Sequence, residues 1–251
     1  MTGARPAVPI LRFEKIDSTN AEALRRASAG DTGPLWIAAN TQSAARGRRG
    51  RVWQTGTGNL AATYLAPSGR PAAEAALFSF VAGLAVADLL VEGAPGAEIR
   101  LKWENDVLLN GRKAAGILLE SAGTGGRTDW LAIGIGVNLA SHPALDECRP
   151  GAPRPTSLAA EGAAALSPEA ALAALDRHLA GWIARFDRDG FPTIRAAWLA
   201  RAAHLGQRIG AGLVRERLEG TFEDVDATGA LVLHTALGRR RIAAAELYFP
   251  E

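Results

Sequence analysis

Apolar and polar positions alternate with different periods along the chain, and those periods mark its elements. AAEAALFSFVAGLAVADLLVEG, residues 72–93, is apolar nearly all round, which predicts a long helix buried over much of its surface. DSTNAEALRRASAG, 17–30, predicts a shorter helix with its own punctuation. Ser18 or Thr19 can cap it, Glu22 completes a capping box and Gly30 follows its end. PEAALAALDRHLAGWIARFDRDG, 168–190, and PTIRAAWLARAA, 192–203, are helical by spacing. PLWIAAN (34–40), GNLAATYLAP (58–67) and DWLAIGIGVNL (129–139) read as strands. EIRLKWENDVLLNGRKAAGILLES, 98–121, reads as a hairpin, because Asn110 and Gly111 form a strong two-residue turn signal. Residues 140–156 hold four prolines and form a long loop.

After His204 the texture changes to short alternating strands between Gly- and Asp-rich turns. A core of that size is marginal alone, so the module is expected to pack on the main body. The boundary falls between a larger unit, 1–203, and a smaller one, 204–251.

Composition narrows the function. The chain has 251 residues, is 48% hydrophobic and carries a net charge of +2. A general nucleic-acid or membrane-surface binder would carry a larger basic excess. Cys148 is the one cysteine, which rules out an internal disulfide or a cysteine-built zinc cluster. Pro6 and Pro9 break the first apolar stretch, so no signal peptide is read there. No apolar run reads as long enough to span a bilayer without charges or polar breaks. A cytoplasmic protein without membrane contact is expected.

The positive charge is local. ARGRRGRVW, 45–53, sets Arg46, Arg48, Arg49 and Arg51 around Gly47 and Gly50. Arginine forks match phosphate oxygens bidentately, and glycine lets the backbone close over a ligand. Taken alone, such a run reads first as a solvated, nonspecific nucleic-acid patch and only second as a clamp for a small anion. Only three lysines, Lys15, Lys102 and Lys113, stand among the 28 basic residues. Codon bias accounts for most of that imbalance, yet it makes each lysine more informative, since lysine is a compact point charge.

Together, DSTN (17–20), TQSAARGRRGRVW (41–53), LKWENDVLLNGRKAAGILLE (101–120), GIGVNL (134–139) and GTFEDVDATGALVL (220–233) resemble, in order and spacing, the biotin protein ligases. The chain departs from the family pattern at Ala45 and Glu104, where glycine and proline are usual, and at Ala244 and Ala245, where glycine is common. The resemblance implies an α+β fold with a mixed, mostly antiparallel sheet and helices, like class II aminoacyl-tRNA synthetases and biotin–lipoate ligases. It also implies a small C-terminal SH3-like β-barrel. The implied activity has two steps. Biotin carboxylate attacks the α-phosphate of ATP, giving biotinyl-5′-AMP and pyrophosphate. A lysine of a biotin carboxyl carrier protein then takes the biotin and releases AMP.

The resemblance assigns Lys113 and Arg48 to catalysis, with Lys113 against the biotin carboxylate and α-phosphate. It places Ser18, Thr19, Asn20, Gln42, Arg46, Gly47, Arg48, Lys113 and Gly116 around biotin. Arg48, Arg49, Arg51, Trp53, Lys102, Asn105, Asp106 and Asn138 fall to ATP and the adenylate, and Asp106 to Mg²⁺. The arginine loop is expected to order on the adenylate, and residues 140–156 to form an adenine lid. A lipoate or octanoate ligase of the same fold is the alternative. No DNA partner is expected: only 16 residues precede Asp17, too few for a helix-turn-helix. A homodimer is compatible with the family.

Overall fold

The computed structural model describes residues 7–54, 56–144, 153–213 and 216–248. Its larger sheet has seven strands: β1 (Ile10–Ile16), β2 (Leu35–Gln42), β3 (Leu60–Pro67), β4 (Ile99–Lys102), β5 (Asp106–Leu109), β6 (Arg112–Ala122) and β7 (Trp130–Val137). Their order is β1-β2-β3-β7-β6-β5-β4. Only β1 and β2 run parallel; every other neighbouring pair is antiparallel. The mixed, mostly antiparallel α+β sheet expected from the motifs is therefore the one that forms.

Strand periodicity divides this sheet into two faces. Along β7, Ile133, Ile135 and Val137 enter the main core. The core also holds α3 (Phe78–Gly93), α4 (Pro168–Asp189) and α5 (Phe191–Leu199). The alternate residues Ala132, Gly134 and Gly136 face the other side. There α1 (Thr19–Ser28) covers part of the sheet, with Ala23 and Ala27 against Leu35, Ile37, Leu65 and Ala132. The uncovered remainder of that face is where the site lies.

Local signals mostly hold, with informative exceptions. Ser18 caps α1 by accepting from the Ala21 amide at 3.4 Å. The reciprocal half of the capping box does not form. The Ser18 amide donates to Asp17 at 2.7 Å, and Glu22 pairs with Arg25 and Arg26. Asn110 (φ 49°) and Gly111 (φ 75°) make the expected turn with both residues left-handed. A second turn at 103–105 splits the upstream strand into β4 and β5. The apolar run 72–93 divides at Leu77 into α2 (Ala72–Ala76) and α3. It is long and apolar enough to cross a membrane, but Glu74, Asp88 and Glu92 interrupt it, and 72% of its most apolar window is buried within the fold. β1 was not foreseen, and α5 stops at Leu199 rather than reaching residue 203.

The smaller sheet contains β8 (Arg208–Gly212), β9 (Arg217–Val225), β10 (Leu231–Thr235), β11 (Gly238–Ile242) and β12 (Glu246–Tyr248), ordered β11-β10-β9-β8-β12. Among the described residues, the outer strands β11 and β12 are not paired with each other, so the expected SH3-like barrel stands open. The module docks on the main body. Trp103 donates to the Gly229 carbonyl at 3.1 Å, and Arg195 of α5 pairs with Asp224 of β9.

Candidate functional site

The site is built on a floor without side chains. Gly116 of β6 lies opposite Gly136 of β7, and Leu118 lies opposite Gly134. A methyl at Gly136 would stand 2.5 Å from the Trp53 ring, and one at Gly116 2.9 Å from it. A methyl at Gly134 would collide with the Asn20 side chain. These glycines are therefore required by close approach. The Gly134–Gly136 spacing, a weak motif in sequence, is the pocket floor in space.

Lys113 reaches this floor through an irregularity. In a regular strand it would share the face of Ala115, which enters the core. The β5–β6 register slips between Val107 and Leu108: Ala115 faces Val107 while Lys113 faces Leu108. Ala114 is the extra residue, so the parity flips and Lys113 joins Gly116 on the pocket side. Its Nζ lies 2.6 Å from Asp106 Oδ1 and 5.5 Å from the centre of the Trp53 ring. Lys102 Nζ approaches Asp106 Oδ2 at 3.5 Å. One buried carboxylate thus holds two ammonium groups. Burial by itself pushes the Asp106 carboxyl up, but the two lysines together outweigh it and hold it below the usual range. Burial lowers the Lys102 ammonium, against the pull of Asp106.

Beside the floor stands a buried polar wall at the N-terminus of α1. The Thr19 amide donates to Gln42 Oε1 at 2.8 Å, and Asn20 Nδ2 donates to Glu120 at 2.8 Å. The Thr63 hydroxyl donates to Asn20 Oδ1 at 2.6 Å. Ser18, Thr19 and Asn20 are all under 5% exposed, so this wall is preorganised by mutual bonds rather than by solvent.

The arginine loop covers the floor. Gly47 donates to the Arg51 carbonyl at 2.7 Å and Trp53 to the Ala45 carbonyl at 3.0 Å. Arg49 (φ 56°) and Gly50 (φ 71°) turn the chain between them. The loop thus has its own internal bonds. Ala45 is buried and adopts no left-handed backbone, so its departure from glycine costs nothing here. Three of the guanidinium groups meet carboxylates: Arg46 meets Glu120 at 3.1 Å, Arg51 meets Glu246 at 2.8 Å, and Arg48 meets Glu104. Burial raises the Glu104 carboxyl, and the hydrogen bond from Arg48 pulls the other way.

The cleft holds about 980 Å³ of non-atom space, its solvent mouth included. Six cationic side chains line it against three carboxylates: Arg46, Arg48, Arg49, Arg51, Lys102 and Lys113 against Glu104, Asp106 and Glu246. All the residues assigned to biotin from sequence line this cleft, as do Arg49, Arg51, Trp53, Lys102, Asn105 and Asp106. Asn105 also works structurally, donating to the Ile117 carbonyl at 2.7 Å. Asn138 is not brought to the cleft: it is buried and donates to the Thr156 carbonyl at 2.9 Å. The backbone of 154–156 bonds to Lys113 and so supports the strand carrying it. Residues 145–152 of the expected lid, Cys148 among them, lie outside the described residues.

Sequence reasoning missed Glu120 and Glu246 as partners of the loop, and Thr63 behind Asn20. None stands in a motif with its partner. The second basic run, Arg239–Arg241, pairs with Glu223, Glu216 and Asp226. Among the described residues, no group of three or more His, Cys, Asp or Glu side chains could hold a metal ion. Asp106 is already matched by two ammonium groups.

One prediction follows directly from the floor. Gly136→Ala should fold, since Gly136 needs no left-handed backbone, but the methyl must push Trp53 off the floor. Faster loss of the bound adenylate, timed by filter retention of radiolabelled ligand, is the expected result. An unchanged rate would show that Trp53 does not close the site.

Comparison with known proteins agrees with this geometry. Residues 9–200 match the Biotin/lipoate A/B protein ligase family, and residues 204–249 match the Biotin protein ligase C terminal domain. The Biotin--[acetyl-CoA-carboxylase] ligase of Paracoccus denitrificans is 48% identical over 94% of this chain and 98% of its own. That of Mycobacterium tuberculosis is 34% identical over 91% and 84%. Among solved structures, the biotin protein ligase of Aquifex aeolicus in complex with biotin and ATP superposes with a TM-score of 0.77. It is 22% identical and covers 95% of this chain and 97% of its own. The Leishmania major enzyme in complex with biotinyl-5-AMP gives a TM-score of 0.65 at 26% identity, covering 96% and 100%. By sequence along nearly its whole length, the chain belongs to the biotin protein ligases within the Biotin/lipoate A/B protein ligase family.

Proposed function

We propose that this protein activates biotin with ATP and transfers it to a lysine of a biotin carboxyl carrier protein. The observation that carries the reading is the pair of ammonium groups held by Asp106 above the glycine floor and beneath the arginine loop. Biotin carboxylate and ATP are both anions, so bringing them together needs positive charge already in position. Lys113 supplies a point charge where the carboxylate oxygen meets the α-phosphate. Arg48, Arg49 and Arg51 take the phosphate oxygens that depart as pyrophosphate. The buried wall of Ser18, Thr19 and Asn20 with Gln42 takes the polar ring of biotin. The loop and Trp53 then shield the mixed anhydride from water until the acceptor amine attacks its carbonyl carbon and AMP leaves. Mg²⁺ enters as part of the substrate MgATP. ATP consumption fits the cytoplasmic location expected from sequence. The C-terminal domain match and the named relatives support biotin rather than lipoate as substrate.

Biotin with MgATP should raise the melting temperature more than either ligand alone. A ligand bound only by the folded state stabilises it by about 4 kcal/mol at a thousandfold over Kd. A shift with lipoate and MgATP, and none with biotin, would reassign the polar wall.

A further inference from the structure

Glu104 stands where the family commonly has proline, and it lies on the turn between β4 and β5, inside the cleft. Its carboxylate takes the guanidinium of Arg48. Of the three loop pairs this one is best shielded: the two side chains are 31% and 18% exposed, against 43% for Arg46 and for Arg51. The other two pairs are therefore more heavily screened by solvent. Arg49 and Asp106 are the other charged groups acting on Glu104. A carboxylate placed here costs desolvation, and the Arg48 contact offsets it. The same guanidinium fork cannot serve Glu104 and a phosphate fully at once.

Resting on the ligase reading, we propose that Glu104 is a built-in competitor for Arg48, occupying the place of a ligand phosphate in the empty site and setting how tightly pyrophosphate and the adenylate are held. When a phosphate takes Arg48, Glu104 is left beside a second anion, close to Asp106. The bound state is weakened by that repulsion, and release is hastened. A proline at this position would leave Arg48 uncontested. Glu104 is thus a positioning residue that acts through Arg48.

The test is calorimetric titration with inorganic pyrophosphate and Mg²⁺, together with timed release of preformed biotinyl-adenylate. Glu104→Gln keeps the shape and removes the charge. It should bind pyrophosphate roughly tenfold more tightly and release the adenylate roughly tenfold more slowly, the scale of one charge-assisted hydrogen-bonded contact. The gain should vanish when Glu104→Gln is made in an Arg48→Ala background. Glu104→Ala, read the same way, covers a Gln variant that fails to fold. Unchanged or weaker pyrophosphate binding, or a gain that persists without Arg48, would overturn the proposal. A wild-type protein that forms no biotinyl-adenylate would instead overturn the ligase reading, and the pyrophosphate titration would still decide the role of Glu104.

Discussion

Lys113→Arg is expected to reduce biotin-dependent ATP–pyrophosphate exchange about 100- to 1,000-fold, the usual loss for one preorganised charge contact in a transition state. The melting temperature should stay near that of the unaltered protein. Both side chains carry a positive charge, so the difference lies in shape. The ammonium of Lys113 is seated 2.6 Å from Asp106 and beside the face of Trp53. A planar guanidinium is wider and fixes its hydrogen bonds in a fork, so it must displace either Trp53 or the reacting oxygens. The stem reaches the floor only through the bulge at Ala114, and the backbone there cannot retreat without disturbing the 154–156 segment bonded to it. Single-turnover formation of biotinyl-adenylate separates this chemical defect from weak binding. Near-normal exchange by the variant would remove Lys113 from the reaction.

Asp106→Asn should cost about 3–5 kcal/mol of stability, because it leaves buried ammonium groups without their counter-ion. At ~2–4 °C per kcal/mol for a chain of this size, the melting temperature should fall by about 10 °C. Exchange activity should fall with it, since Lys113 loses its seat. Lys102→Met in the same background should recover part of the lost stability but not the activity, because Lys102 is the more deeply buried of the two cations. The sign with pH follows. The folded protein holds the Asp106 carboxyl below its ordinary value, so its stabilisation is complete above the ordinary carboxylate range and is lost as pH falls through the lowered folded value. The Asn variant should lack that acid limb, and melting curves taken downward from pH 5 would reveal it. An equal acid dependence in both proteins would mean that Asp106 is not the group holding the two lysines.

How much of this could be read without coordinates depends on the range of the interaction. The Ser18 cap, the left-handed Asn110 and Gly111, and the helix at 168–189 are decided within a few residues, and they stand where the pattern put them. The loop arginines and Lys113 were legible because their spacing matches a known family. β1 escaped because ILRFEKI is half exposed at a sheet edge, so it lacks the apolar density that marked the other strands. Asn138 was assigned to the nucleotide by its place in a motif, but burial turned its amide to the Thr156 carbonyl.

The amino-acid order by itself determined which elements form, which residues carry charge and where glycine leaves backbone bare, because these depend on neighbours a few bonds away. Tertiary structure alone decided how they meet. Strand pairing turned two separate glycine-bearing strands into one floor. A single extra residue at Ala114 set the side of the sheet that Lys113 serves. Folding also brought Glu120 to Arg46 across 74 positions and Glu246 to Arg51 across 195. Charges separated by that much chain act on each other only after folding removes the distance and much of the water between them. No local pattern, therefore, carried their pairing.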